Sequence, residues 1–156
     1  MIDSVLNTLL FRKCRANLAG KKFIKALESE LAEGFLDILL NLMGLMFCID
    51  KSFKRNIENF DARYTFKDKS GDITVSAIFE NSKLKVIQKD IDNTNITIIF
   101  KDQKALMNFL LSPKPDILSA ILNQDVTYEG NLNYLSKFAY MATHLVYMFT
   151  EHEKLK

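Results

Sequence analysis

Residues 62–101 read ARYTFKDKSGDITVSAIFENSKLKVIQKDIDNTNITIIFK, and their period decides the fold class. Apolar side chains recur at every second position: Tyr64 and Phe66, then Ile73, Val75, Ala77 and Phe79, then Leu84 and Val86, then Ile96, Ile98 and Phe100. A period of two puts one set of side chains on one face of an extended chain, so the stretch predicts four consecutive strands. Asp68-Lys69-Ser70-Gly71, Asn81-Ser82 and Asp90-Ile91-Asp92-Asn93 separate them with residues that favour tight turns. The links are short enough for hairpins, which predicts an antiparallel meander.

Outside this stretch the period is helical. Upstream, Val5, Leu6, Leu9 and Leu10, then Ile24, Leu27 and Leu31, then Leu36, Leu39, Leu40, Met43 and Phe47 keep a spacing of three and four, with breaks expected near Ala19-Gly20 and Gly34. Downstream, Asp102 is a suitable cap for a helix carrying Leu106, Phe109 and Leu110, which Ser112-Pro113 would end. A second short helix follows Pro115 with Ile117, Leu118, Ile121 and Leu122. Asp125 to Glu129 alternates as a fifth strand, and Gly130-Asn131 turns it into a last helix running to about Phe149. Strands grouped before helices predict an α+β fold: a five-stranded, mostly antiparallel sheet covered on one face by helices, with an N-terminal helical extension. The chain of 156 residues suits one core, with residues 1–53 as an extension packing on the same core as residues 54–156.

Composition excludes several classes. Hydrophobic residues at 48% and charged residues at 26% describe a folded, water-soluble chain, and a net charge of +2 is too small to make bulk electrostatics a nucleic-acid signal. Cys14 and Cys48 build no disulfide framework or metal motif, so a reducing, cytoplasmic setting is expected. Met1-Ile2-Asp3-Ser4 carries an acid where a secretory leader carries Lys or Arg, so export is not expected. Phe35 to Ile49 is the greasiest run, yet it is shorter than a bilayer needs and includes Asp37 and Asn41.

No Walker loop, G-x-G-x-x-G, H-E-x-x-H or G-x-S-x-G is present, so an enzyme is not expected and no cofactor or metal is called for. His144 shares a polar helix side with Lys137, Tyr140, Tyr147 and Glu151 and reads as a solvated or interface residue; a Cys48–His144 nucleophile pair has nothing in sequence to join it. Asp68, Ser70 and Asp72 around Gly71 faintly suggest a cation loop, but the spacing suits a hairpin better.

The last helix is apolar around much of its circumference, with Leu135, Phe138, Ala139, Met141, Ala142, Leu145 and Val146. Opposed to the apolar sheet face, it would either fill a core or line a cavity, and periodicity does not separate the two. The expected liners of such a cavity are Phe79, Leu84, Val86, Ile98, Phe100, Leu106, Phe109, Leu110, Ile121, Phe138, Met141 and Leu145. Arg12, Lys13, Arg15, Lys21, Lys22 and Lys25 form a cationic cluster with no acid between Arg12 and Lys25, beside Leu9, Leu10, Phe11, Leu18 and Phe23. It reads either as a solvated helix face or as a docking surface for an anionic membrane. Nucleic acid is not expected, because no stacking platform accompanies the charges.

The order of four segments carries a resemblance. Asn95-Ile96-Thr97-Ile98-Ile99-Phe100 leads to Ala105-Leu106-Met107-Asn108-Phe109-Leu110-Leu111, then to Lys114-Pro115-Asp116-Ile117-Leu118-Ser119-Ala120-Ile121-Leu122, then to Val126-Thr127-Tyr128-Glu129-Gly130-Asn131. Together with the meander from Ala62 to Lys89, this resembles the sterol carrier protein lipid-transfer domain over about residues 55 to 150. The resemblance implies a twisted five-stranded sheet with helices on one face and a hydrophobic tunnel between them for a fatty acyl, sterol-like or isoprenoid ligand. The chain ends in Glu153-Lys154-Leu155-Lys156, so a Ser-Lys-Leu peroxisomal address is not implied. The helical extension is similar to that of family members in isoprenoid quinone biosynthesis. The expectation is therefore a non-enzymatic intracellular lipid-binding or lipid-transfer protein, cytoplasmic and peripheral to membrane. The alternative is an accessory protein-interaction subunit of a lipid-modifying or quinone-making complex, as a homodimer or with a partner.

Overall fold

The computed structural model describes residues 2–28, 34–112 and 116–154. The expected links at residues 29–33, with Leu31, and at residues 113–115, with both prolines, lie outside the described residues, as do the side chains of Val5, Leu6 and Leu9. The elements run α1 (Ile2–Glu28), α2 (Phe35–Ile49), α3 (Lys51–Lys54), a 3-10 turn (Arg55–Ile57), β1 (Ala62–Asp68), β2 (Thr74–Glu80), β3 (Lys83–Ile87) and β4 (Ile96–Phe100), then α4 (Gln103–Leu111), α5 (Ile117–Leu122), β5 (Val126–Gly130) and α6 (Leu132–Lys154). The architecture is the α+β class expected, a five-stranded sheet in the order β3-β2-β1-β4-β5.

The meander is corrected in one place. β1, β2 and β3 are antiparallel neighbours, but β4 leaves β3, passes the other two strands and pairs with β1 in parallel, Phe66 facing Ile98. Residues 88–95 make this crossing on the sheet face opposite the helices. Ser76 donates to the Lys89 carbonyl at 2.7 Å, Lys67 pairs with Asp90, and Asn95 makes two hydrogen bonds with Arg63, its Oδ1 accepting from the Arg63 amide at 2.7 Å and its backbone amide donating to the Arg63 carbonyl at 2.8 Å. The strap explains why Thr65 and Ser76, hydroxyl to hydroxyl at 3.0 Å, are buried on that face. Buried polar groups need such partners.

Local signals hold at the helix ends. Asp102 accepts from Ala105 N at 2.7 Å and Asp116 from Ser119 N at 2.9 Å, each satisfying an otherwise unpaired amide. Asp50 does the same for Phe53 N at 2.7 Å and starts α3, a turn the helical period did not separate from α2. Gly130 ends β5 at φ 116°, and a Cβ there would stand 2.4 Å from the Asn95 carbonyl oxygen, so only glycine allows β5 to close on β4.

The expected break near Ala19-Gly20 does not occur, and α1 runs straight through it. Gly20 faces the Phe149 ring, whose Cε1 lies 2.4 Å from where a Cβ would be, so this glycine admits a ring from α6 instead of turning the chain. Phe23 follows one turn later, 5.9 Å from Phe35 and 6.2 Å from Phe149 between ring centres. α2 and α6 cover the helix-facing side of the sheet, and α1 lies outside them as a further layer.

Candidate functional site

Most of the twelve residues expected to line a cavity are packed into solid core. Phe79, Ile98, Phe100, Leu106, Phe109, Leu110, Phe138, Met141 and Leu145 are all buried. Over β1 and β2 the space is filled by rings: Phe66 and Phe138 are 4.7 Å apart, Tyr64 and Phe79 5.5 Å, and Tyr64 and Phe138 5.7 Å. Tyr64 donates to the Tyr134 carbonyl at 2.9 Å, and burial first, then neighbouring Tyr134, pushes its hydroxyl pKa far above the ordinary tyrosine value. This hydroxyl stays neutral and anchors α6 to the sheet. Phe47 extends the ring stack to Phe53 at 4.7 Å and Phe79 at 6.2 Å.

The other three are only partly buried: Leu84, Val86 and Ile121. Leu84 and Val86 point to the helix side of β3, the edge strand, and there the filling stops. An open cleft of about 560 to 610 Å³ appears on either side of α2, and the one floored by Leu84 and Val86 has a volume of about 610 Å³. Its walls are Leu18 and Ala19 of α1 and Ile38, Leu40, Gly44 and Leu45 of α2. Arg15, Lys22 and Asn41 stand with them at the exposed side. The volume lies within the range that holds small organic ligands.

Gly44 decides the shape of this cleft. It sits inside α2, where glycine is less favourable than alanine by roughly 0.5–1 kcal/mol, yet a Cβ there would meet nothing within 4 Å. Packing does not require glycine at this position, unlike Gly20. The missing side chain leaves open space between α1, α2 and β3. Sequence reasoning did not find Ala19, Ile38, Leu40, Asn41, Gly44 or Leu45; the one available signal was a mid-helix glycine in the greasy Phe35–Ile49 run.

The cleft on the other side of α2 takes in Leu106, but its lining is more polar, with Asp37, Asp72, Thr74 and Gln88, and Gln88 donates to Asp37 at 2.6 Å. Phe109 borders a third cleft, of about 360 Å³, between the capped ends of α4 and α5. Phe79 borders a fourth, of about 280 Å³, with Arg63 and Asn95. The twelve residues are thus spread over a core and four openings, with Ile121 half-buried apart from them, and only Leu84 and Val86 share an opening.

The cationic cluster lies along α1, all six side chains exposed, with Leu10, Phe11 and Leu18 exposed beside them at 59%, 65% and 58%. Phe11, Arg15, Leu18 and Lys22 follow one another at helical spacing, so the outward row of α1 runs directly into the cleft.

Catalytic geometry is not assembled around His144. Its Nδ1 accepts from Asn56 Nδ2 at 3.3 Å and its ring meets Phe53 edge-on at 5.2 Å, which makes it a packing residue between α6 and the turn after α3. Ser70 donates to both Asp68 and Asp72, and Asp68 also accepts from Ile73 N at 2.9 Å, so this group is the β1–β2 turn. Burial raises the Asp68 pKa, but the donors Ser70, Ile73 and Gly71 outweigh it and hold the carboxyl below the ordinary range. Among the described residues no cluster of His, Cys, Asp and Glu could hold a metal, and no helix is long and apolar enough to cross a membrane.

No protein-family model and no curated protein matches the chain in sequence. Solved structures do match in fold. The sterol carrier protein domain 2 of Helicoverpa armigera aligns over 72% of this chain and 87% of its own, with 15% identity and a TM-score of 0.52. The UbiJ-SCP2 ubiquinone synthesis protein aligns over 62% of this chain and 76% of its own, with 11% identity and a TM-score of 0.50. The stereoselective inverting sec-alkylsulfatase Pisa1 from Pseudomonas sp. aligns over 67% of this chain with 15% identity and a TM-score of 0.56, and there the chain spans only 16% of the partner's length. The strand order, the helices on one face and these alignments agree: the chain has a sterol-carrier-protein-like fold.

Proposed function

We propose that the chain is a non-enzymatic lipid-binding protein that shelters the apolar part of one lipid molecule, a fatty acyl, sterol-like or isoprenoid ligand, in the cleft between α1, α2 and β3. The observation that carries this reading is the open space over Gly44, in a cleft floored by Leu84 and Val86 and walled in part by Leu18, Ile38 and Leu45. Removing apolar surface from water stabilises by about 25 cal/mol per Å², so a long chain binds there with few polar contacts. The sterol-carrier-like fold supports the same reading by analogy. Exposed, free Cys14 and Cys48 suit a reducing, cytoplasmic setting.

The row Arg12, Lys13, Arg15, Lys21, Lys22 and Lys25, with Leu10, Phe11 and Leu18, supports docking of α1 on an anionic membrane during transfer. Neutralising all six cations is expected to lower affinity for anionic vesicles, with no loss on neutral vesicles; unchanged affinity for anionic vesicles would remove the membrane step.

The ligand reading is tested by native mass spectrometry of protein purified without detergent, wild type beside Gly44→Leu. A co-purifying lipid on the wild type and none on the variant is the expected result. No lipid on either, or equal lipid on both, overturns the site. A second reading, an accessory protein-interaction subunit, is favoured by Leu118 and Leu122, exposed at 67% and 72% one turn apart on α5. A lipid-free complex with another protein in the same spectra would favour it.

A further inference from the structure

We infer that the cleft selects a single-chain amphiphile with an anionic oxygen head group, a carboxylate or a phosphate, whose head is held at the rim by Arg15 and Lys22 while its tail runs over Gly44 to Leu84 and Val86. The inference rests on the lipid-binding reading and names the ligand class for it.

Three features carry it. Arg15 and Lys22 are the only charged side chains among the described residues that line the cleft, and both are positive. They stand seven residues apart on α1, about 10 Å along the axis at 1.5 Å per residue, with Leu18 and Ala19 between them. A head group at that rim therefore meets cations on two sides, and the apolar wall begins directly below it. The nearest carboxylate along α2, Asp37, lines the opposite cleft, where Gln88 donates to it at 2.6 Å. Asn41 adds a neutral amide to the rim, able to donate to an oxyanion.

The energetics favour this division of labour. An arginine fork matches carboxylate and phosphate oxygens with two parallel bonds, and charge-assisted hydrogen bonds are roughly twice as strong as neutral ones. At an exposed rim they are diluted by water, so the tail supplies most of the affinity and the cations supply selection. A neutral lipid of the same length keeps the tail contacts and forgoes the rest. The small wall residues, Ala19 and Gly44, leave room beside Leu18, Ile38 and Leu45 for one flexible chain.

The experiment uses the full chain and three probes below their micellar concentrations: oleate, monooleyl phosphate and oleyl alcohol, titrated calorimetrically into wild type, an Arg15→Gln/Lys22→Gln double variant, and a Lys51→Gln/Lys54→Gln double variant as a control. Lys51 and Lys54 are exposed on α3 and do not line the cleft. All four positions are exposed, so these variants keep the fold. At least one anion is expected to bind wild type roughly tenfold or more tightly than the alcohol, in line with the worth of charged hydrogen bonds. The Arg15/Lys22 variant should bring that anion down to the affinity of the alcohol and leave the alcohol unchanged, and the Lys51/Lys54 variant should do neither. Which anion shows the effect assigns carboxylate or phosphate. Equal binding of anions and alcohol to wild type overturns the head-group inference while leaving the lipid-binding reading in place. Loss of equal size in the Lys51/Lys54 variant also overturns it, because overall charge then accounts for the effect. Failure of all three probes to bind overturns the lipid-binding reading itself.

Discussion

Over β1, β2 and β4, the helix-facing residues Tyr64, Phe66, Phe79 and Ile98 are fully buried, and rings from α2 and α6 fill the space above them. Over β3, on the same face of the same sheet, Leu84 and Val86 stay half exposed beneath Ala19 and Gly44. Both regions have the same alternating pattern in sequence. What differs is the filling opposite: the rings of Phe47 and Phe138 in one place, and in the other a wall in which Ala19 and Gly44 interrupt the larger Leu18, Ile38, Leu40 and Leu45. Alternation reports which way a side chain faces, and the facing element decides whether the space is core or site.

The contrast can be broken first on its filled side. Phe138→Ala should cost about 3–5 kcal/mol of stability, read from the midpoint and slope of urea unfolding, because Tyr64 and Phe66 lose their common partner and a cavity remains. A loss near zero would mean that the ring layer is loosely packed and already hollow.

Next come the two helix-interior glycines, which should respond with opposite signs. Gly20→Ala drives a methyl into the Phe149 ring and should destabilise by about 1–3 kcal/mol, whereas Gly44→Ala enters open space and should stabilise by roughly 0.5–1 kcal/mol. Melting both variants beside the wild type checks this, and equal signs would erase the distinction between a packed and an open glycine.

Between these in size lies the turn that joins β1 to β2. Asp68→Asn should cost about 1 kcal/mol near neutral pH by weakening bonds from Ser70 and Ile73. Asp68 has a depressed pKa in the folded chain, so its contribution is complete above the ordinary aspartate pKa of about 3.9 and disappears as pH falls through the lower folded value. The difference in stability between wild type and variant should therefore shrink on acidification across that window. A difference independent of pH would assign the turn to backbone geometry alone.

Much of this architecture is legible in the residues themselves. The Phe35–Ile49 run is α2 to the residue, Asp102 caps α4 as its position suggests, and the alternation marks all five strands. What is illegible is nonlocal. Nothing within residues 88–95 states that the chain will cross behind the sheet so that β4 lies parallel to β1; the partners of the strap, Ser76, Lys67 and Arg63, are distant in sequence. Gly20 has the composition of a helix breaker and becomes a helix interior because a ring from residue 149 occupies its vacancy. The cleft was half legible: Leu84 and Val86 were named, but their walls belong to α1 and α2, outside the stretch that carries the family resemblance.

Paramagnetic broadening by a spin-labelled fatty acid, mapped amide by amide, asks most directly where an apolar guest resides. The account predicts the strongest loss of signal at Leu18, Asn41, Gly44, Leu45, Leu84 and Val86, falling off toward Phe66, Ile98 and Phe138. Broadening centred on Phe66, Ile98 and Phe138 would contradict it, because the guest would then occupy the ring-filled layer instead of the cleft beside α1.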